Sequence, residues 1–286
     1  MSFITSKVSY SYWQSLPLAL VLMAFLVFPI TVITIVSFWD YNEYSIIPAF
    51  IWDNYEFLLT SPVTIKAYLN TLNYAFLSLV LTLGIGFTIA YFLAFHIRTN
   101  GAQTLLFLIC TIPFLTSNII RMISWIPLLG RNGLINNGLQ SAGISDEPIE
   151  WLLFSDFSIV LAYVHLYTLF MVVPIFNSMM RIDRSLIEAA IDAGAKPYQI
   201  LRDIIIPLSK SGIIIGSIFV FTMVMGDFVT VKIMGGGIRA SVAVLIYNEI
   251  SLLQYPAAAA GAVVLLMTVI LMLITLFRFV DIRKEV

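Results

Sequence analysis

Long apolar runs dominate the chain, with neither the strict alternation of a half-buried strand nor the narrow stripe of a surface helix. Six of them cover about 17–38, 71–95, 104–129, 157–180, 212–231 and 256–279. Each reaches the roughly 20 residues that a helix needs to cross a hydrocarbon layer about 30 Å thick. In lipid a backbone must satisfy its own hydrogen bonds, which leaves helices or a closed barrel, and runs of this length fit helices. The pattern therefore predicts an all-α integral membrane protein with six transmembrane helices in one domain over 1–286. The first run follows Lys7 as a secretion signal would. Its apolar core exceeds the usual ~7–15 residues and no small-residue cleavage site follows, so it is read as a span.

One segment breaks the pattern. RIDRSLIEAAIDAGAKPYQILRDIIIPL, Arg181 to Leu208, carries four basic and four acidic residues. It reads as two short helices joined at a corner. Ser185 and Glu188 have the spacing of a capping box. Ala189, Ala190 and Ala193 favour helix and permit close approach. Gly194 stands where a helix C-terminus needs positive φ. Pro197 suits the first position of a second helix, whose apolar Ile200, Leu201, Ile204 and Ile205 recur at helical spacing. Pro207 ends or kinks it before the fifth run. The bland alternative is an amphipathic loop on the membrane surface. It leaves the small alanines, the capping glutamate and the glycine corner unexplained.

Basic residues orient the chain. With both termini in the cytoplasm, the inner segments hold Lys7, Arg98, Arg181, Arg184, Lys196, Arg202, Lys210, Arg278, Arg283 and Lys284. The outer ones hold Lys66, Arg121, Arg131, Lys232 and Arg239. Ten against five places the 181–210 loop in the cytoplasm. The outer stretch 39–70 is aromatic and acidic, fitting interfacial anchoring. The outer stretch 131–156 suggests a short amphipathic helix and a turn.

Composition agrees: 60% hydrophobic, 11% charged and a mean hydropathy of +0.98 lie outside the soluble globular range. A net charge of −1 gives no basic face for nucleic acid. The single cysteine, Cys110, excludes a disulfide framework or a cysteine-based zinc site. No phosphate-binding loop, metal-ligand motif or catalytic set is legible, so neither a catalytic residue, a metal nor a cofactor is expected in this chain. Gly86 and Ala90 read as a small-residue packing seam. His165 reads as a hydrogen-bonding packing residue.

Glu188-Ala189-Ala190, Gly194, and then Ile204-Ile205-Ile206-Pro207 resemble the signature loop of permease subunits of ATP-binding-cassette importers that work with a binding protein, with isoleucine in place of the usual leucine. The position between the fourth and fifth of six spans matches too. PFLTSNIIRMISW, RNGLINNGL and MGDFVTVKIMGG resemble the spermidine/putrescine permease family, and in particular its B-type subunit.

The resemblance implies the fold of a type I importer permease, with 181–210 as a cytoplasmic coupling loop in a bacterial inner membrane protein. It implies an ATPase dimer carrying ATP and magnesium, a second permease subunit of the C type, and an extracytoplasmic substrate-binding protein. Glu188, Ala189, Ala190, Gly194 and Pro207 would couple the chain to the ATPase. Related permeases import amino acids or kindred amino compounds, the nearest alternative. A secondary transporter would show intramembrane charges relaying ions, in which this chain is poor.

For a cationic solute, Asp227 within the fifth run is the candidate partner of ammonium groups. Its structural alternative is a pairing with Lys232 or Arg121. Trp125, Tyr163 and Tyr167 could add cation–π contact, the two tyrosines lying four apart on one helix face. Asn118 and Arg121 are further candidates for the solute path.

Overall fold

The computed structural model describes residues 15–42, 45–97 and 99–278. Lys7, Arg98, Arg283 and Lys284, used in the orientation count, and position 279 of the sixth run lie outside them. In chain order the elements are α1 (Ser15–Val36), β1 (Asp40–Tyr41), β2 (Ile46–Ile47), α2 (Asp53–Thr60), α3 (Pro62–His96) and α4 (Gly101–Leu115). Next come α5 (Asn118–Ile123), α6 (Ile126–Leu129), α7 (Leu134–Ser141), α8 (Asp156–Met179), α9 (Arg184–Asp192) and α10 (Pro197–Leu208). The last are α11 (Lys210–Gly226), α12 (Val229–Met234), α13 (Val242–Ser251) and α14 (Tyr255–Phe277).

Four helical runs are long and apolar enough to cross a membrane: Ser15–Val36, Pro62–His96, Glu150–Met179 and Tyr255–Phe277. Two more candidates are bent pairs. One is Gly101–Leu115 with Asn118–Ser141, at 90°, and the other is Pro197–Leu208 with Lys210–Gly226, at 65°. Counting each pair as one span gives six.

The expected unbroken runs over 104–129 and 212–231 are thus interrupted, for a local chemical reason. α4 tightens into a 3₁₀ turn at Ile112–Leu115 around Pro113, and Thr116 and Ser117 are extended before α5 begins. Hydroxyl and amide side chains compete for backbone groups and favour helix ends. α11 stops at Gly226; Asp227 is extended and its carboxylate accepts from Thr230 N at 3.0 Å in the first turn of α12. A π-turn over Leu201–Ile205 lies just ahead of Pro207. It widens the helix where the proline ring would meet the carbonyl of residue 203. Met23–Val27 does the same ahead of Pro29.

The chain divides into two compact units, Met1–Thr64 with Ile246–Leu266, and Ile65–Leu245 with Met267–Val286. In the first, α1 has no buried residue, so its apolar surface faces lipid or another chain. Phe38, Phe50, Trp52 and Tyr55 cluster beside the β1–β2 hairpin; Phe38 lies 4.9 Å from Phe50 and 5.1 Å from Trp52 between ring centres. Asn54 holds the approach to that hairpin by donating to the carbonyls of Ser37 (3.0 Å) and Trp39 (2.9 Å).

In the second unit α8 is central, burying residues on every side from Ser158 to Met179. Apolar burial drives little in lipid, whose chains are as apolar as leucine, so helix association rests on close approach. Two seams supply it. A Cβ on Gly86 of α3 would lie 2.8 Å from Met171 Cγ, and Ala90 is fully buried, as the small-residue spacing predicts. On α11, Gly212 approaches the Pro174 carbonyl and would place a Cβ 2.9 Å from Ile175 Cα, while Gly216 would place one 2.7 Å from Met171 Sδ.

The amphipathic helix expected in 131–156 is α7. Asn136, fully buried, accepts from Ile149 N at 2.8 Å and donates to the Gly130 and Ile149 carbonyls, tying that loop together.

Candidate functional site

α9 carries Glu188, Ala189 and Ala190, and none of its residues is buried. Nine residues without a core are too few to hold a helix in water unaided, so the ends matter. The N-terminus is capped by Asp183, which accepts from Ser185 N at 2.9 Å. The expected capping box on Ser185 is therefore displaced: both residues are good caps, and the aspartate two positions earlier takes the role. That amide bond, first among the causes, holds the Asp183 carboxyl below the usual range.

At the other end Gly194 has φ +83°. Gly194 N donates to the Ile191 carbonyl at 2.8 Å and Ala195 N to the Ala190 carbonyl at 2.9 Å. The pair of bonds is a complete Schellman motif. Pro197 opens α10, and Gln199 reaches back to accept from Lys196 N at 2.7 Å.

Glu188 lines a groove of about 470 Å³ with Tyr91, Phe95, Arg184 and Ile191. Arg184 Nη2 donates to the Ala94 carbonyl at 3.4 Å, linking α9 to the end of α3. Leu186 and Ile191 remain about half exposed, at 49% and 56%. An exposed, doubly capped helix with apolar residues around one carboxylate has the character of a docking element.

The second cluster forms where the interrupted helices meet. α12 packs against α5 and α8, and α5 against α8. Discontinuous helices within a membrane protein free polar backbone and side chains to line a cavity. Asp227 sits at the break. Its Oδ2 accepts from Tyr167 Oη at 2.8 Å and from Thr230 Oγ1 at 2.5 Å, and Tyr163 Oη donates to its backbone carbonyl at 3.1 Å. The tyrosine rings stack with centres 5.7 Å apart.

Asp227, Tyr163 and Tyr167, grouped from the sequence, are therefore in contact. Hydroxyls and an amide take up the carboxylate, while Arg121 donates to Asn118. Trp125 pairs instead with His165; its indole N–H donates to His165 Nδ1 at 3.0 Å with the rings edge to face. The Gly212–Gly216 seam and Thr230 were not picked out from the sequence. A glycine pair four apart was the available signal for the first; for Thr230, only its place three residues after an aspartate.

Residues 82–283 match the family of binding-protein-dependent transport system inner membrane components. The chain belongs to that family. The permease is 31% identical over 259 residues to the spermidine/putrescine transport system permease protein PotB of Escherichia coli (strain K12), covering 90% of this chain and 93% of the relative. It is 28% identical over 278 residues to the protein of that name in Haemophilus influenzae, covering 95% and 96%. Its fold matches a permease chain in the crystal structure of a bacterial alginate ABC transporter in complex with an alginate pentasaccharide-bound periplasmic protein. There the TM-score is 0.77 at 17% identity, covering 96% of this chain and 94% of that one. The architecture is thus that of an ABC importer permease subunit.

Proposed function

We propose that this permease is the B-type subunit of an ATP-driven importer of polyamines, working with a C-type permease partner, an ATPase dimer that binds ATP and magnesium, and an extracytoplasmic binding protein. The observation that carries the reading is α9: the Glu188-Ala189-Ala190 sequence lies on an unburied helix, capped at both ends and linked to α3 through Arg184. A rigid element of this kind can be pushed as a body. In the proposed orientation both termini and α9 are cytoplasmic, and Glu188 meets a basic group in a groove of the ATPase. Gly194 turns the chain away, and the Pro207 kink passes the movement into α11. ATP-driven closure then switches the permease pair between outward-open and inward-open arrangements, an interface rotation of packed bodies.

The polyamine reading is supported by the names of the relatives above. Within this chain, Asp227 with Tyr163 and Tyr167 is the proposed contact for an ammonium group. The carboxylate supplies charge and the stacked rings supply cation–π attraction. An arriving ammonium would take over a hydrogen bond that Thr230 or Tyr167 now provides.

The test is uptake of labelled spermidine and putrescine by cells that lack the permease and by the same cells with it restored. Saturable uptake that returns with the permease, and is outcompeted by the other polyamine, is expected. Restored cells that take up neither compound would refute the solute assignment.

A further inference from the structure

Inside the second unit, α3, α4, α5 and α8 line a half-open pocket of about 180 Å³, with Ile89, Cys110, Arg121, His165 and Thr168 among its walls. Arg121 is only 7% exposed, and its Nε–H has no hydrogen-bond partner. One of its terminal nitrogens donates to Asn118. Among the described residues no carboxylate lies within ion-pair distance of the guanidinium. A buried cation inside a bundle is rare, and such charges are paired or serve a ligand.

His165 adds a second donor. An indole N–H can only donate, so the bond from Trp125 fixes His165 Nδ1 as an acceptor and leaves the ring proton on Nε2. The Thr168 hydroxyl spends its proton on the Val164 carbonyl at 2.6 Å. The pocket therefore holds a positive charge with one unpartnered N–H, from Arg121, beside the exposed His165, and among the described residues no acidic side chain lines it.

We propose that this cavity holds a small anionic group, a carboxylate or a halide ion, between Arg121 and His165. The volume is ample for a halide ion or a small carboxylate. The anion has two possible sources. It is either the carboxylate of a transported amino compound or a free halide that neutralises Arg121 during the cycle. Tyr167, which donates to Asp227 Oδ2, lies two residues after His165 on α8, so a solute bearing both charges would find a partner for each along that helix. The inference goes beyond polyamine import, since a polyamine carries no anionic group.

Cys110, the single cysteine of the chain, lines the cavity and is a built-in reporter. The experiment measures its alkylation by N-ethylmaleimide in the assembled importer in nanodiscs, read by mass spectrometry. Potassium acetate, chloride and gluconate are compared at equal ionic strength with no solute present, so the outcome is independent of polyamine import. Acetate or chloride is expected to slow alkylation about threefold relative to gluconate, as mass action gives when the anion is at about twice its dissociation constant. Arg121→Gln should remove the protection, Arg121→Lys should keep part of it, and His165→Phe should weaken it. Equal rates in all three salts overturn the proposal, as does protection that persists in Arg121→Gln. If Arg121→Gln does not assemble, the wild-type salts and His165→Phe still decide.

Uptake into proteoliposomes separates the sources. A requirement for chloride identifies the free halide, and competition by amino carboxylates without that requirement identifies the solute. Uptake that shows neither behaviour counts against the proposal.

Discussion

Replacing Gly194 tests whether α9 works as a rigid body. A Cβ at this position would meet nothing within 4 Å, so any cost of substitution comes from the backbone alone. At φ +83°, an L-residue is strained by about 1–2 kcal/mol, and less for asparagine, whose side chain tolerates the left-handed region. That energy falls on a nine-residue helix with no buried side chain, held otherwise by its Asp183 cap and the Arg184 link to α3. A loss of about 1–2 kcal/mol lowers the population of the folded corner by about 5–30-fold. Asparagine, alanine and valine at 194 should therefore reduce ATP-driven uptake in that order, valine most because its branched Cβ clashes with its own backbone in the left-handed region. Membrane insertion should be unchanged, since no spanning helix is touched. The assay is solute-stimulated ATPase and uptake by the reconstituted importer, with insertion checked on the same samples. Uptake by Gly194→Val equal to wild type, or an alanine variant that matches the asparagine one, would refute the reasoning.

The glycine seams give a second contrast. Gly212→Ala would press a methyl into the Pro174 carbonyl and to 2.9 Å from Ile175 Cα, backbone that cannot swing away, and should cost about 1–3 kcal/mol in thermal unfolding. Gly84→Ala, with open space around the new methyl, should be neutral or stabilise by up to about 1 kcal/mol; similar losses in both would sink the seam argument. Glu249 on α13 predicts a pH effect. Burial pushes its carboxyl up from 4.5 to about 7, and its Oε2 is buried without a partner. Because the folded value lies above the unfolded one, the stability it contributes is full below about pH 4.5 and is lost as pH rises through about 7. Wild-type melting temperature should therefore fall between about pH 5 and pH 8 more steeply than that of Glu249→Gln, and parallel slopes would contradict the assignment.

The spanning helices and the charged loop were legible because their signals are long or chemically singular. An apolar run of 20 residues survives any small error in its ends, and a glycine three residues before a proline in a charged segment marks a corner whatever surrounds it. The interruptions at Thr116–Ser117 and at Asp227 were not read as breaks. Each is only one or two residues inside a run whose average hydropathy stays high, and lipid solvation speaks for continuity on both sides. The choice of Asp183 over Ser185 as the cap was likewise open, since the two differ by half a turn and both side chains can accept from a free amide. Asp227, Tyr163 and Tyr167 could be grouped from charge and helical spacing. Arg121 and His165 could not be joined, because their cavity exists only once α4 ends at Leu115 and α5 sets off at a new angle.

In the proposed mechanism, movement enters this permease from an ATPase through α9. Proteoliposomes holding the two permeases, the ATPase and the binding protein test it directly, with ATP sealed inside and ionophores collapsing every ion gradient. Labelled polyamine is expected to accumulate with internal ATP, and accumulation to fall away without it or with Glu188→Lys. Accumulation that persists without ATP and stops when the ion gradients are collapsed would contradict it.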